Sequence, residues 1–233
     1  MKVENILNNT QIQLRSGSDV SLEDFMGGDD RACMSAWVSF GNDHEDRLSD
    51  RGRVEKLVKF LYSNQHMTPF ESTIFTFRIK TPIFVAREYH RHRSQSINEW
   101  SGRYSEMVPE FYLPDRDRPL VQQGKPGKYY FVSGSDEQYD EVASSQADVF
   151  QHTWNSYQHL LGVGVAKEVA RNVLPLATYT YFYSTMNARN LMHFLNLRSD
   201  PTALHEIREV ASKMESFLEE KMPLTYNTFK ENS

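Results

Sequence analysis

The apolar pattern predicts an α+β fold: a helix-rich single domain with a small, mainly antiparallel β-sheet packed against long helices. Apolar residues recur at helical spacing over residues 51–62 and 136–161, and they alternate over residues 73–80. In the first of these stretches Val54, Leu57, Val58 and Leu61 share one helical face. Phe75, Phe77 and Ile79 then fall on one side of a strand, with Thr76, Arg78 and Lys80 on the other. Pro82 suits the first turn of a helix running through Ile83 to about His92. Residues 109–134 read as a long surface loop punctuated by Pro109, Pro114, Pro119, Gly124, Pro126, Gly127 and Gly134, with a short strand near residues 128–132. The helix over residues 136–161 turns Tyr139, Val142, Ala143, Phe150, Trp154, Tyr157 and Leu161 inward. A Tyr- and Thr-rich strand is expected over residues 178–185 and a short helix over residues 187–197. The last helix is expected to open at Asp200-Pro201 and to bury Leu204, Ile207, Ala211, Met214 and Leu218.

The chain has 233 residues, 39% of them hydrophobic and 24% charged. That is enough to bury roughly 70–75% of the unfolded surface. No repeat, low-complexity tract or linker divides it, so residues 1–233 read as one domain with a loose stretch at 109–134. The longest apolar run, from Pro82 to Ala86, is far shorter than the ~18–20 residues that cross a bilayer, so no membrane partner is expected. The first residues show no basic-then-apolar leader, and the expected setting is cytoplasmic. One cysteine, Cys33, excludes an internal disulfide framework and a cysteine-only zinc site; it reads as a small buried hydrophobe. His90 and His92 have no carboxylate at ligand spacing and HExxH is absent, so no metal is expected.

A net charge of −5 argues against a general nucleic-acid binder. Locally the balance reverses, because residues 87–93 hold three Arg and two His against one Glu. An acidic chain that gathers positive charge at one place suits a compact anion. Arg91, Arg93 and Arg103 offer planar forks that match phosphate oxygens, while Ser101 and Gly102 offer a hydroxyl and a backbone N–H. Among so many cations Glu99 offers a carboxylate that can accept hydrogen bonds from a sugar or base. The plainer reading is a solvated, Arg-rich helix end without a ligand.

Five ordered blocks change that weighting. Arg91-His92-Arg93 is followed after seven residues by Ser101, which opens SGRY. Upstream stand PIFVAR (82–87) and HMTPFE (66–71); downstream stand ARNVLP (170–175) and the run from Asn187-Ala188-Arg189 to Asn196-Leu197-Arg198. In this the chain resembles the flavin-dependent thymidylate synthases over most of its length. The resemblance implies a homotetramer, with active sites shared between subunits, that methylates dUMP to dTMP. It further implies 5,10-methylenetetrahydrofolate as carbon donor and FAD, reduced by NADPH, as hydride source. Such chemistry removes the need for a thiolate nucleophile, for which Cys33 has no activating neighbour.

By the same resemblance, Glu88, Arg91, Glu99, Ser101, Gly102, Arg103, Arg171 and Arg198 match dUMP-binding positions. Ser39, Thr68, Arg91, His92, Arg93, Glu99, Asn187, Ala188, Arg189 and His193 match FAD-binding positions. Arg198 matches the catalytic residue credited with favouring ionisation of the uracil, where a guanidinium stabilises negative charge on the ring. Ser101 lacks a neighbouring base in sequence and is assigned to binding, not attack. Glu88 stands where some members carry Gln, and a carboxylate there needs an Arg between it and the phosphate. His193 stands where some carry Asn. Residues 116–134 have no assigned family counterpart.

Arg198 lies nine residues beyond Arg189, about 180° round an ideal helix. One unbroken helix cannot aim both at one pocket: either it ends before Arg198, or the two serve sites built by different subunits. Two other function classes remain at this level: a non-catalytic nucleotide- or RNA-binding module, and a metal-dependent nucleotide hydrolase.

Overall fold

The computed structural model describes residues 11–41 and 45–232. Within them the fold is helix-rich α+β with small, mainly antiparallel sheets, the class expected from the sequence. The chain falls into two compact units.

The first unit comprises residues 11–18, Lys80–Tyr89 and Glu99–Tyr181. Strand β1 (Gln13–Arg15) pairs in parallel with β5 (Glu110–Tyr112), setting Leu14 opposite Phe111. Helix α3 is Ile83–Tyr89, shorter than expected: Pro82 closes the preceding strand instead of opening the helix, and the helix stops short of His92. The short strand expected near 128–132 is present as β7 (Lys128–Val132), but the stretch around it is more ordered than a loop. It also holds β5, and β6 (Val121–Lys125) pairs with β7 in a hairpin turned by Pro126 and Gly127, whose φ is +80°.

Helix α4 (Asp136–Gly162) starts at a reciprocal cap. Ser135 Oγ accepts the Gln138 N–H at 3.3 Å and Gln138 Oε1 accepts the Ser135 N–H at 2.9 Å. Its inner stripe of Phe150, Trp154 and Tyr157 joins Ile12, Phe111 and Ala170 in one cluster. Each large side chain buried there stabilises the unit by about 1.5–3 kcal/mol. Val142, Ala143 and Leu161, expected inward, are only half-buried. Helix α5 (Lys167–Ala170) and a single turn over Arg171–Val173 follow.

The second unit comprises the described parts of Asp19–Ile79, His90–Asn98 and Phe182–Ser233. It holds most of a four-stranded sheet in the order β2 (Asp19–Met26), β3 (Ile74–Pro82), β8 (Tyr179–Asn187), β4 (Ser96–Glu99). Phe75, Phe77 and Ile79 are fully buried, as the alternation predicts. Around the sheet lie α1 (Asp29–Trp37), α2 (Arg51–Ser63), α6 (Ala188–Arg198), α7 (His205–Lys221) and α8 (Pro223–Glu231).

Two expectations fail at the C-terminal end. Helix α7 begins at His205, not at Asp200-Pro201, because Asp200 Oδ1 accepts the Thr202 N–H at 2.7 Å and holds a turn. It is also not the last helix. Helix α8 opens with Pro223, and its first amides are satisfied from far away in sequence. The Asp29 carboxylate accepts from Leu224 N at 2.9 Å, Thr225 N at 3.0 Å and Thr225 Oγ1 at 2.6 Å.

Candidate functional site

In the second unit, the polypeptide from Arg91 to Gln95 is irregular and is fixed by side chains, not by a ladder. Gln95 Nε2 donates to the His92 carbonyl at 2.7 Å, and Gln95 Oε1 accepts from the buried Ser184 Oγ of β8 at 2.6 Å. Asn190 Nδ2 of α6 donates to the Ser94 carbonyl at 2.9 Å, which ties that helix to the segment. The result is a cavity of about 330 Å³ lined by Arg91, His92, Arg93, His193, Phe194 and Arg198 among others. Among the described residues that line it, none is a carboxylate.

Helix α6 supplies its wall by spacing alone. Asn187 caps the helix by accepting the Asn190 N–H at 2.9 Å. From there Asn190, His193, Phe194, Leu197 and Arg198 fall on one face toward the cavity. The helix runs unbroken through Arg198, so the first of the two alternatives drawn from the 180° argument does not hold. Arg189 instead points away from the cavity and pairs with Glu71 at 2.5 Å.

His92 is the electrostatic centre of this cavity. Burial, then the positive charge of Arg198 and the neighbouring His193, push its pKa down to about 4. The ring is therefore neutral at pH 7, and its Nε2 accepts the Nε–H of Arg198 at 2.9 Å. Phe194 meets the ring edge-on at 4.9 Å.

A second cavity, also of about 330 Å³, lies within the first unit; Glu99, Ser101, Gly102, Met107, Arg171 and Thr180 are among its lining residues. Glu99 is oriented by Thr180, whose Oγ1 donates to it at 2.7 Å. The Ser101 carbonyl accepts from Tyr104 N and Ser105 N at 3.1 Å, and the Arg103 N–H donates to Ser101 Oγ at 3.3 Å. These bonds wind the Ser101–Ser105 stretch into a tight turn, with Gly102 buried against its neighbours. A Cβ on Gly102 would stand 2.6 Å from Met107 Sδ and 3.2 Å from Arg171 Cδ. Met107 is held in turn by its N–H donating to Tyr157 OH at 2.9 Å.

Of the residues singled out from the sequence, the structure brings Glu99, Ser101, Gly102 and Arg171 together in the first unit's cavity. Arg91, His92, Arg93, His193 and Arg198 meet in the second unit's. Arg103 lines neither; it pairs with Glu168 at 2.7 Å and lies over the Tyr104 ring. Glu88, Ser39, Thr68, Asn187, Ala188 and Arg189 also line neither cavity. Ser39 and Thr68 are exposed on single helical turns, whereas Ala188 is fully buried. Cys33 is buried, its thiol pushed up to about 12 chiefly by that burial, which suits packing and not nucleophilic attack.

Sequence reasoning missed Gln95, Thr180, Met107 and Tyr157. The alternation of the Tyr- and Thr-rich strand was a signal for Thr180, and the apolar stripe of α4 placed Tyr157 inward; that Tyr157 would hold Met107 carries no signal, because the bond joins residues far apart in sequence. Among the described residues no group of His, Cys, Asp and Glu is placed to hold a metal, and no helix is long and apolar enough to cross a membrane.

The two cavities, one lined by a Ser-Gly turn and one by an Arg-His-Arg segment, each carry at least one guanidinium whose planar fork suits anionic oxygens. Residues 21–224 match the family model described as thymidylate synthase complementing protein. The flavin-dependent thymidylate synthase of Streptomyces coelicolor is 42% identical over 95% of this chain and 94% of its own. That of Thermotoga neapolitana is 43% identical over 90% and 89%. Among solved structures, a UMP/dUMP methylase, PolB from Streptomyces cacaoi, bound with 5-Br dUMP superposes with a TM-score of 0.89 at 40% identity, covering 94% of this chain and 97% of that one. The chain belongs to the flavin-dependent thymidylate synthase family.

Proposed function

We propose that the protein methylates dUMP to dTMP reductively, as a single domain of that family acting in a homotetramer with shared active sites. 5,10-Methylenetetrahydrofolate gives the carbon and NADPH the reducing equivalents. The observation that carries the reading is the cavity of Arg91, His92, Arg93, His193 and Arg198 without a lining carboxylate. Its donor set fits the pyrophosphate of FAD, which Arg91, Arg93 and His193 would hold; Ser39, Thr68, Glu99, Asn187, Ala188 and Arg189 are its further proposed contacts. When bound and reduced, the flavin supplies the hydride that completes the methyl group.

The remaining work falls to this chain's own residues. In the first unit's cavity, Arg171, Ser101 Oγ and the Gly102 N–H neutralise and orient the dUMP phosphate. Glu99, oriented by Thr180, accepts from the nucleoside, and Glu88, Arg91 and Arg103 complete the proposed dUMP contacts. Arg198 stabilises negative charge on the uracil, which raises electron density at C5, the carbon that attacks the methylene group. The hydrogen at C5 must leave as a proton when that carbon keeps its new bond. Neither step needs a thiolate, in keeping with the inert Cys33.

Tritium release from C5-labelled dUMP, with folate, FAD and NADPH omitted one at a time, tests the reading. Release only in the complete mixture is expected, and release that ignores folate would overturn it. UMP is run beside dUMP, because the PolB methylase is described with both nucleotides and is also known bound with 5-Br UMP.

A further inference from the structure

We propose that His92 is a positioning residue for Arg198: its Nε2 accepts the Arg198 Nε–H and thereby fixes the plane in which the guanidinium enters the cavity. The bond is 2.9 Å long. The inference deepens the proposed function and rests on it for the task given to Arg198. A guanidinium is planar and its Nε–H direction is tied to the side-chain stem, so anchoring that one donor sets the direction of the whole fork.

The anchor is itself braced. The His92 carbonyl accepts from Gln95 Nε2 at 2.7 Å, and Gln95 is held by Ser184 at 2.6 Å. The ring packs edge-on against the buried Phe194 at 4.9 Å, which lies on the same helix as Arg198. An imidazole can accept at Nε2 only when that nitrogen carries no proton. Burial favours this state, and so do the charges it faces from α6, Arg198 and then His193; Arg91 and Arg93 flank it on its own segment, and Ser94, Gln95, Asn190 and Met186, which also line the cavity, are uncharged. The family resemblance gives His92 a contact with the flavin; the geometry gives it a second task, exerted through Arg198.

The test compares His92→Leu with His92→Gln, alone and combined with Arg198→Ala. Gln carries a carbonyl oxygen that reaches the place of Nε2, whereas Leu has no acceptor. Rates are normalised to bound FAD, and each variant is crystallised. In His92→Leu the Arg198 guanidinium is expected to leave its position and kcat to fall about 10- to 100-fold, with the dUMP KM within about threefold. His92→Gln should return the guanidinium and most of the rate. In the Arg198→Ala background His92→Leu should cost nothing more, since coupled residues are not additive.

The proposal is overturned if Arg198 keeps its orientation in His92→Leu, or if the two single losses multiply in the double variant. Should His92→Leu fail to fold, His92→Phe keeps the ring packing on Phe194 and carries the same outcomes. A wild-type chain that binds FAD but leaves dUMP unmethylated would end the functional reading alone. The crystallographic comparison would still decide the positioning.

Discussion

Replacing Gly102 with Ala perturbs the cavity proposed for dUMP without touching the residues that line the other. The added Cβ would lie 2.6 Å from Met107 Sδ and 3.2 Å from Arg171 Cδ. Ordinary contacts are about 3.5–4.0 Å, so the first clash is about 1 Å deep. Gly102 does not have a positive φ, so backbone strain adds nothing and the clash is the whole perturbation. The Met107 side chain packs on the Phe111–Trp154 cluster, which limits where its thioether can move. Arg171, exposed and on a single turn, is the part that gives way. Overpacking of this depth costs about 1–3 kcal/mol, and whatever part is relieved by displacing Arg171 is lost from dUMP binding, at most a roughly 5- to 150-fold weaker affinity. Isothermal titration should show that loss while the FAD dissociation constant holds, since Gly102 does not line the other cavity. Met107→Ala added to Gly102→Ala should restore much of the affinity. A single variant that binds dUMP as tightly as wild type, or a double variant that recovers nothing, would refute the reasoning.

Arg198→Ala should lower kcat for dUMP methylation by about 10²–10³-fold with FAD still bound, read from flavin fluorescence; unchanged turnover would remove the role given to its charge. His92 makes stability depend on acidity. Its folded pKa of about 4 lies below the ordinary 6.5, so between those values the unfolded chain binds the extra proton and stability falls as pH drops. The contribution is complete above about pH 6.5, and urea midpoints of wild type should lose more than those of His92→Gln between pH 6.5 and 4; superimposable profiles would show that the ring is not held neutral. Asp29→Ala removes three hydrogen bonds from a buried carboxylate and should destabilise the chain by about 2–3 kcal/mol, a fall of roughly 5–10 °C in the thermal midpoint. A midpoint within a degree of wild type would mean that α8 needs no cap from Asp29.

How far the molecule could be read in advance follows from the range of the interactions involved. Helices α2 and α4 and strand β3 were legible because a one-sided apolar stripe is written in neighbouring positions, and burial of Val54, Phe77 and Trp154 obeys it. The ends were less legible. Pro82 favours a helix start by local rules, yet it closes a strand, and Asp200 favours a cap yet folds into its own turn with Thr202. Helix α8 was invisible for a different reason: its cap comes from Asp29, across most of the chain, and no window of sequence contains both partners.

The candidate site divides along the same line. Motif resemblance named Arg91, His92 and Arg198 as separate letters, and the 180° rule correctly forbade Arg189 and Arg198 from sharing a pocket. Neither could say which of the two would turn toward the Arg-His-Arg segment. That choice is made by the face of α6: Asn190, tied to the Ser94 carbonyl, directs Phe194 and Arg198 to the same side, while Glu71 draws Arg189 to the other. Arginines gathered in one cavity repel one another. Burial keeps His92 neutral, so the segment that carries Arg91 and Arg93 also presents an acceptor to the guanidinium of Arg198.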